Sequence, residues 1–278
     1  MISPQLDNQL LSSFLLTLDH RILDKGTAYT NYSSLFYPVD SYYQGQYIYS
    51  CPFRSLVNDV SISGANVISG LYINNNFVTI GQSGLQSINP YLGAAFFNSP
   101  LPDNSVVSGN YAVKDFSIKI SDQPEWKLLF ESEYIINGKY AQTPTGLPLD
   151  TETSPIIFLR TKSAVVNPIG LGGWEDNVKV VRAIVIADTE YSRTAVCNIM
   201  KNMLYSPLYI TTNVPFAADG SYTGVNYDFT ALTKDLTWFP WIFKVTVSDI
   251  PRAGDFKTIN KNMAMVDFHL NTIIRHTP

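Results

Sequence analysis

Chemically reactive side chains are scarce in this chain: three histidines, two cysteines and only 15% charged residues among 278. Cys51 and Cys197 lie far apart and share no ligand spacing, which excludes a disulfide framework or a cysteine-based zinc knuckle. The expectation is two free, buried thiols in a reducing cytosol. His20, His269 and His276 form neither an HExxH pattern nor a His-x-His pair, so a zinc centre is not expected. A formal net charge of −4 and a pI near 5.3 leave no basic footprint for direct nucleic-acid binding. No run approaches the roughly 18 apolar residues of a membrane helix. The start, Met1 to Asn8, lacks the basic residue and apolar stretch of a secretory leader, so the chain is expected to stay where it is made. Asn31-Tyr32-Ser33 then matches the glycosylation pattern by chance. Internal repeats and low-complexity tracts are missing too.

Neutral polar groups must therefore cover the surface, and they are abundant. Asn74, Asn75 and Asn76 form a run, Ser and Thr recur throughout, and there are 17 tyrosines against a 45% hydrophobic content. Tyr offers apolar area with a hydroxyl at its tip, which suits half-exposed strands and protein interfaces; its plain role is strand filler.

Leu6, Leu10, Phe14, Leu18 and Ile22 recur at four-residue steps and predict an N-terminal amphipathic helix, widened by Leu11, Leu15 and Leu23. Ser3 is placed to cap it, Pro4 suits its first turn and Gly26 its end. Such a stripe packs on its own domain or docks as an arm on a neighbouring subunit; Leu6, Leu10, Phe14 and Leu18 are the candidate interface residues for the second case. Residues Tyr29 to Pro52 read as irregular or short-stranded. Val67 to Ile73 and Phe77 to Ile80 flank the Asn run as a hairpin, because Asn tolerates a left-handed turn backbone. Tyr91 to Phe97, Ala112 to Ile120 and Trp126 to Ile136 read as strands, with Phe116, Ile118 and Ile120 on one face. Ala141 to Pro155 has the Pro, Gly and Thr content of a linker. Ile156 to Arg160 and Val178 to Ala187 read as buried strands. A helix is expected from an Asp188 N-cap to Leu204, with Tyr191, Ala195, Ile199 and Met203 inward. Thr211 to Leu236 reads as a projecting loop or hairpin, and Trp241 to Ser248 and Ala264 to Ile274 as closing strands. The fold class is α+β, mainly antiparallel β: an N-terminal amphipathic helix, a β-rich first half and a helix-on-sheet second half. The expected organisation is a helix over 1–28, a β-rich domain over 29–140, a linker over 141–155 and an α+β domain over 156–278.

Motifs for chemistry fare poorly against plainer readings. A Cys-His dyad has no supporting spacing, and Cys197 sits mid-helix beside Val196 and Ile199, the setting of an inert core thiol. Gly81-Gln82-Ser83-Gly84-Leu85 lacks the second glycine of G-x-S-x-G and no helix follows, so it reads as a turn. Gly170, Gly172 and Gly173 precede Trp174 and Glu175 with no helix opening, unlike a dinucleotide loop. Asp219-Gly220-Ser221 lacks the alternating ligands of a calcium loop. Paired carboxylates with Trp126, Trp174, Trp238 and Trp241 leave a carbohydrate-binding or glycan-cleaving β-domain as the alternative function. Neither an enzyme nor a cofactor is expected.

Ile68 to Val78, Gly81 to Leu85 and Gly109 to Phe116 resemble virion structural proteins of tailed bacteriophages, a likeness spanning Ile68 to Ile136. The resemblance is to proteins that build the neck, connector or tail-end rings between capsid and tail. The strand-helix-strand order from Val178 to Ile274 is likewise similar to the α+β module of tail-terminator and tail-completion proteins. That resemblance implies a virion protein made in the host cytoplasm, a closed ring, commonly six-fold, built from one repeated heterologous contact, and partners among other head, neck and tail proteins. A baseplate or other tail position is the nearest alternative. No functional residue carries over from the resemblance.

Overall fold

The structure is a computed structural model that describes residues 6–43, 45–128, 153–169, 174–211, 225–233, 240–250 and 261–275. It is an α+β fold of mainly antiparallel sheet, with an N-terminal helix, a β-rich region and a later helix. The first helix, α1 (Leu6–Gly26), leads into a seven-stranded sheet of β1 (Tyr29–Tyr43), β2 (Gln46–Ser50), β3 (Gly70–Ile73), β4 (Asn76–Thr79), β5 (Leu85–Asn89), β6 (Ala94–Phe97) and β7 (Val107–Lys114). Its order is β4-β3-β7-β1-β2-β6-β5, and every pairing is antiparallel.

Turn chemistry sets the short strands. Asn74 (φ 50°) and Asn75 (φ 66°) both take the left-handed backbone, so Ile73 pairs with Asn76 across a two-residue turn whose twist matches the strands. The expected hairpin is therefore present, with β3 starting only at Gly70. Gly81 (φ 91°), Ser83 (φ 47°) and Gly84 (φ 81°) form the turn between β4 and β5, as the plain reading had it. Tyr29 to Pro52, expected to be irregular or short-stranded, holds the short strand β2 but also the 15-residue strand β1. Its long partner is β7, from Tyr29 opposite Lys114 to Phe36 opposite Val107, a pairing no local signal announces. Pro38 is accommodated because the ladder with β2 is interrupted between Pro38 and Tyr42.

A second sheet holds β8 (Ser117–Ile120), β9 (Ile156–Ile169), β10 (Trp174–Ala187), β11 (Trp241–Ile250) and β12 (Asn262–Arg275), in the order β11-β12-β10-β9-β8. Only β8 and β9 run parallel. Ala112 to Ile120 is thus not one strand: the chain breaks at Asp115, whose N–H donates to the Ala28 carbonyl, and Phe116 turns into the core. Because β8 joins the second sheet, that sheet recruits residues well ahead of the expected 141–155 linker. Of that linker, residues 141–152 lie outside the described residues. Trp126 to Ile136, read as a strand, begins as a helical turn over 125–128 in which the Lys127 and Leu128 N–H groups donate to the Pro124 carbonyl; 129–136 are not described.

Helix α2 (Glu190–Lys201) packs on the second sheet. Its N-cap is Thr189, whose hydroxyl accepts from the Ser192 N–H, and not Asp188, which pairs with Lys261. The buried face is Val196, Cys197 and Met200, continued by Met203, while Tyr191 is 86% exposed. The residues from 225 to 233, expected to project, dock on the body: Tyr227 bridges to Asp59, and the short helix α3 (Phe229–Thr233) buries Phe229.

The largest core lies between the inner face of the second sheet, α1 and α2, with Phe14 edge-on to Phe268 at 4.8 Å. Ala112 of β7 and Val57 belong to the same core, so the two sheets share packed atoms. A separate core inside the seven-stranded sheet is aromatic, built around Phe36, Phe53, Phe97 and Tyr111.

Candidate functional site

α1 is not the half-solvated helix its stripe predicts. Residues 13 to 19 are all buried, so its middle is enclosed on every side. Leu10, Phe14 and Leu18, nominated for a subunit contact, are 2%, 0% and 0% exposed within their own chain. A contact through them would require α1 to leave its core; the Leu6 side chain and the Ser3 and Pro4 cap lie outside the described residues. Enclosure forces the polar residues of α1 to find partners. The Ser13 hydroxyl accepts from the Thr211 N–H at 3.0 Å, and the Thr17 hydroxyl donates to the Ser13 carbonyl at 2.8 Å.

Asp19, also buried, receives the Lys114 ammonium on both carboxylate oxygens at 2.8 Å and the Tyr227 hydroxyl at 3.2 Å. At the next residue, His20 Nδ1 lies 2.7 Å from Asp59 Oδ2, and the His20 ring stacks on Phe229 at 4.3 Å. Asp59 further accepts from the Ser61 N–H and hydroxyl and from the Phe229 N–H. Burial alone would raise the Asp59 pKa, but bonds from His20, Ser61 and Phe229 outweigh it and hold the carboxyl below its usual value. Together these carboxylates tie α1 to β7, to residues 58–61 and to the segment before and within α3.

Beside Asp19 opens a cavity of about 290 Å³, at the seam where the chain passes from β7 into β8. Leu15, Leu16 and Asp19 form one wall, Lys114 and β8 another. Ser55, Tyr91 and Tyr227 also line it. The Ser55 backbone is held on both sides, its N–H donating to the Tyr91 carbonyl and its carbonyl accepting from Lys114 N–H, so this wall is fixed by main-chain bonds.

The second surface is the outer face of the five-stranded sheet. One rung carries Trp241, Asn271, Val178 and Val165 in register across four strands. Trp241 is 49% exposed, Val165 53% and Phe243, in edge contact with His269, 41%. Burial, then the charge of Lys244, lowers the His269 pKa. Next along the sheet, Arg182 binds Asp267 through two nitrogens at 2.6 and 2.8 Å and Glu125 at 3.0 Å. Arg160 joins Glu125, and Lys162 reaches Asp267 at 3.1 Å. The Asp267 bond raises the already high Arg182 pKa, fixing its charge. An apolar, aromatic patch is thus bordered on one side by a charged network.

Other sequence candidates fall outside both places. Cys51 and Cys197 are free and buried, in different cores. Burial pushes the Cys51 thiol up to about 12 and also raises Cys197, so neither is a ready nucleophile. Among the described residues no three His, Cys, Asp or Glu side chains gather as metal ligands would. Trp126 is exposed but lies away from the Trp241 rung in sequence and structure element; Gly170, Gly172, Gly173, Asp219 to Ser221, Trp238, His276 and the Trp174 side chain are not described. Sequence reading missed Asp19, Asp59, Lys114 and Tyr227. The available signal was Asp19 itself, one charge closing the run Phe14-Leu15-Leu16-Thr17-Leu18. No protein-family model matches the chain, and no curated protein matches it.

Proposed function

We propose that this protein is a non-catalytic assembly component, a virion structural protein of a tailed phage at the head-tail junction, working through contacts with copies of itself and with neighbouring head, neck or tail proteins. The observation that supports this reading most is the exposed rung of Trp241 and Val165, with Phe243 beside it, on a broad sheet face next to a fixed charge network. Apolar area of this kind left on a monomer is a contact surface in waiting, and the rigid 14-residue strands β9, β10 and β12 behind it keep its shape. The low charge and Tyr-rich composition suit the same role. The phage setting rests on the resemblance of Ile68 to Ile136.

Light scattering coupled to size exclusion, with mass spectrometry of purified virions, tests it. The expected result is a discrete oligomer, presence in particles, and loss of the oligomer in a Trp241→Arg, Phe243→Asp variant that keeps its melting temperature. A strictly monomeric protein missing from particles overturns it.

A further inference from the structure

The cavity at the β7–β8 seam shares no lining residue with the exposed sheet patch, and its polar and apolar walls differ in what they still offer a ligand. Leu15, Leu16, Leu56, Phe116, Ile118 and Ile120 give it an apolar body. Strand alternation sets Ile118 and Ile120 beside Ile157 and Leu159 of the largest core and turns Lys119 to the other face, beside Phe158. The ions that remain in the wall, Asp19 and Lys114, already hold each other. Asp19 receives the Lys114 ammonium on both oxygens and the Tyr227 hydroxyl on one, and the two ionic side chains are only 2% and 12% exposed. Tyr91 and Lys119 likewise have interactions within the protein. A charged ligand would leave water for a wall whose ions are paired, with no new partner to replace its lost solvation. An uncharged apolar body loses nothing of that kind and covers the aliphatic wall. A cavity of about 150 Å³ lined by Leu, Ile and Phe stays dry and takes benzene, so about 290 Å³ has room for roughly ten to twelve carbon atoms.

We infer that this cavity is a binding site for one uncharged, apolar small molecule, an aromatic or short aliphatic hydrocarbon body of that size. The ligand enters past Ile120, which is 40% exposed, and lies along Leu15, Leu16 and Ile118 with the Asp19–Lys114 pair left intact. Its walls come from α1, from residues 55–56 and from β8, so occupancy ties the first helix to the seam between the sheets and stabilises the native chain by mass action.

Isothermal titration calorimetry on the full chain at neutral pH, with naphthalene, 2-naphthoate and 1-naphthylmethylammonium, reads this directly, because the three share one ring system and differ in charge. Naphthalene is expected to bind at one site per chain, at least tenfold tighter than either ion, and to raise the melting temperature. Methyl NMR should show contacts from its ring protons to Leu15, Leu16 and Ile118. Ile120→Trp, at the exposed mouth, should weaken naphthalene at least tenfold while circular dichroism stays unchanged. The Trp241→Arg, Phe243→Asp variant should bind naphthalene as the native chain does, so that this site and the assembly surface stand or fall separately. Should Ile120→Trp disturb folding, the NMR contacts decide the site. The inference is overturned if naphthalene does not saturate, if the three probes bind alike, if its NMR contacts fall outside the cavity, if folded Ile120→Trp binds it as well as the native chain, or if binding is lost with the Trp241 patch.

Discussion

The two sheets reach order by opposite means. The seven-stranded sheet takes most of its strands from short, neighbouring segments joined by tight turns, and its core is filled with rings: Tyr32 on Phe53 at 4.4 Å, Tyr49 on Phe97 at 5.3 Å, Phe36 on Tyr111 at 5.9 Å. The five-stranded sheet uses three 14-residue strands, an aliphatic inner face of Val, Ile, Ala and Leu, and an outer face part ionic and part exposed. Where strands are short, large rings supply buried area per residue; where strands are long, β-branched residues do so by number. The second sheet alone then has length to spare for an exposed face, and that is where the proposed contact surface lies. α1 is the element that makes the two depend on each other.

That dependence can be attacked at its centre. Phe14→Ala removes a fully buried ring from the core that also holds Ala112 of β7, and is expected to cost about 4 kcal/mol. Urea unfolding followed by both tyrosine fluorescence and far-UV circular dichroism should show one shared transition shifted down; two separated transitions would show the sheets to be independent. Next in size, Asp59→Asn removes the charge that His20, Ser61 and the Phe229 N–H all hold, and is expected to cost about 3 kcal/mol at pH 7. Because the folded Asp59 pKa is lowered, its contribution is complete above the unfolded value of about 3.9 and drains as pH falls through the lower folded value. Urea midpoints between pH 6 and pH 2 should therefore fall less steeply in the variant.

A local device of the first sheet offers a smaller effect. Asn75→Val places a β-branched residue at φ 66° and should cost about 1 to 2 kcal/mol, while Asn75→Gly is neutral or better. Thermal melts separate the two; equal melting temperatures would deny that the turn backbone matters. Smallest of all is Tyr191→Ala on α2, expected within about 0.5 kcal/mol because the ring is in solvent. A large loss there would restore the helix phase that sequence periodicity predicts.

What could be read in advance follows from the range of each signal. The Asn74-Asn75 hairpin and the strands beginning at Ile156, Trp174 (read from Val178) and Trp241 declare themselves within a few residues, through turn chemistry or apolar runs. β1 stayed hidden because its alternation is written in Tyr, Ser and Thr and completed only by β7. The break at Asp115 was invisible because Phe116, Ile118 and Ile120 continue the alternation while the backbone changes sheets. On α2 the buried face runs through Val196, Cys197 and Met200, and Tyr191 lies off it in the first turn, which periodicity alone did not separate from the alternative phase. The ion pairs of Asp19 and Asp59 join residues distant in sequence, so neither half could be recognised alone; only the misplaced charge in an apolar helix hinted at them.

The enclosure of α1 has a consequence for the order of events at the ribosome. Ser13 waits for Thr211, which is 198 residues further along, and Phe14 for Phe268 on the last strand. α1 is thus made well before these partners, and until β12 emerges Phe14 lacks its Phe268 contact. A chain that ends before β12 is therefore expected to leave α1 without the far wall of its core.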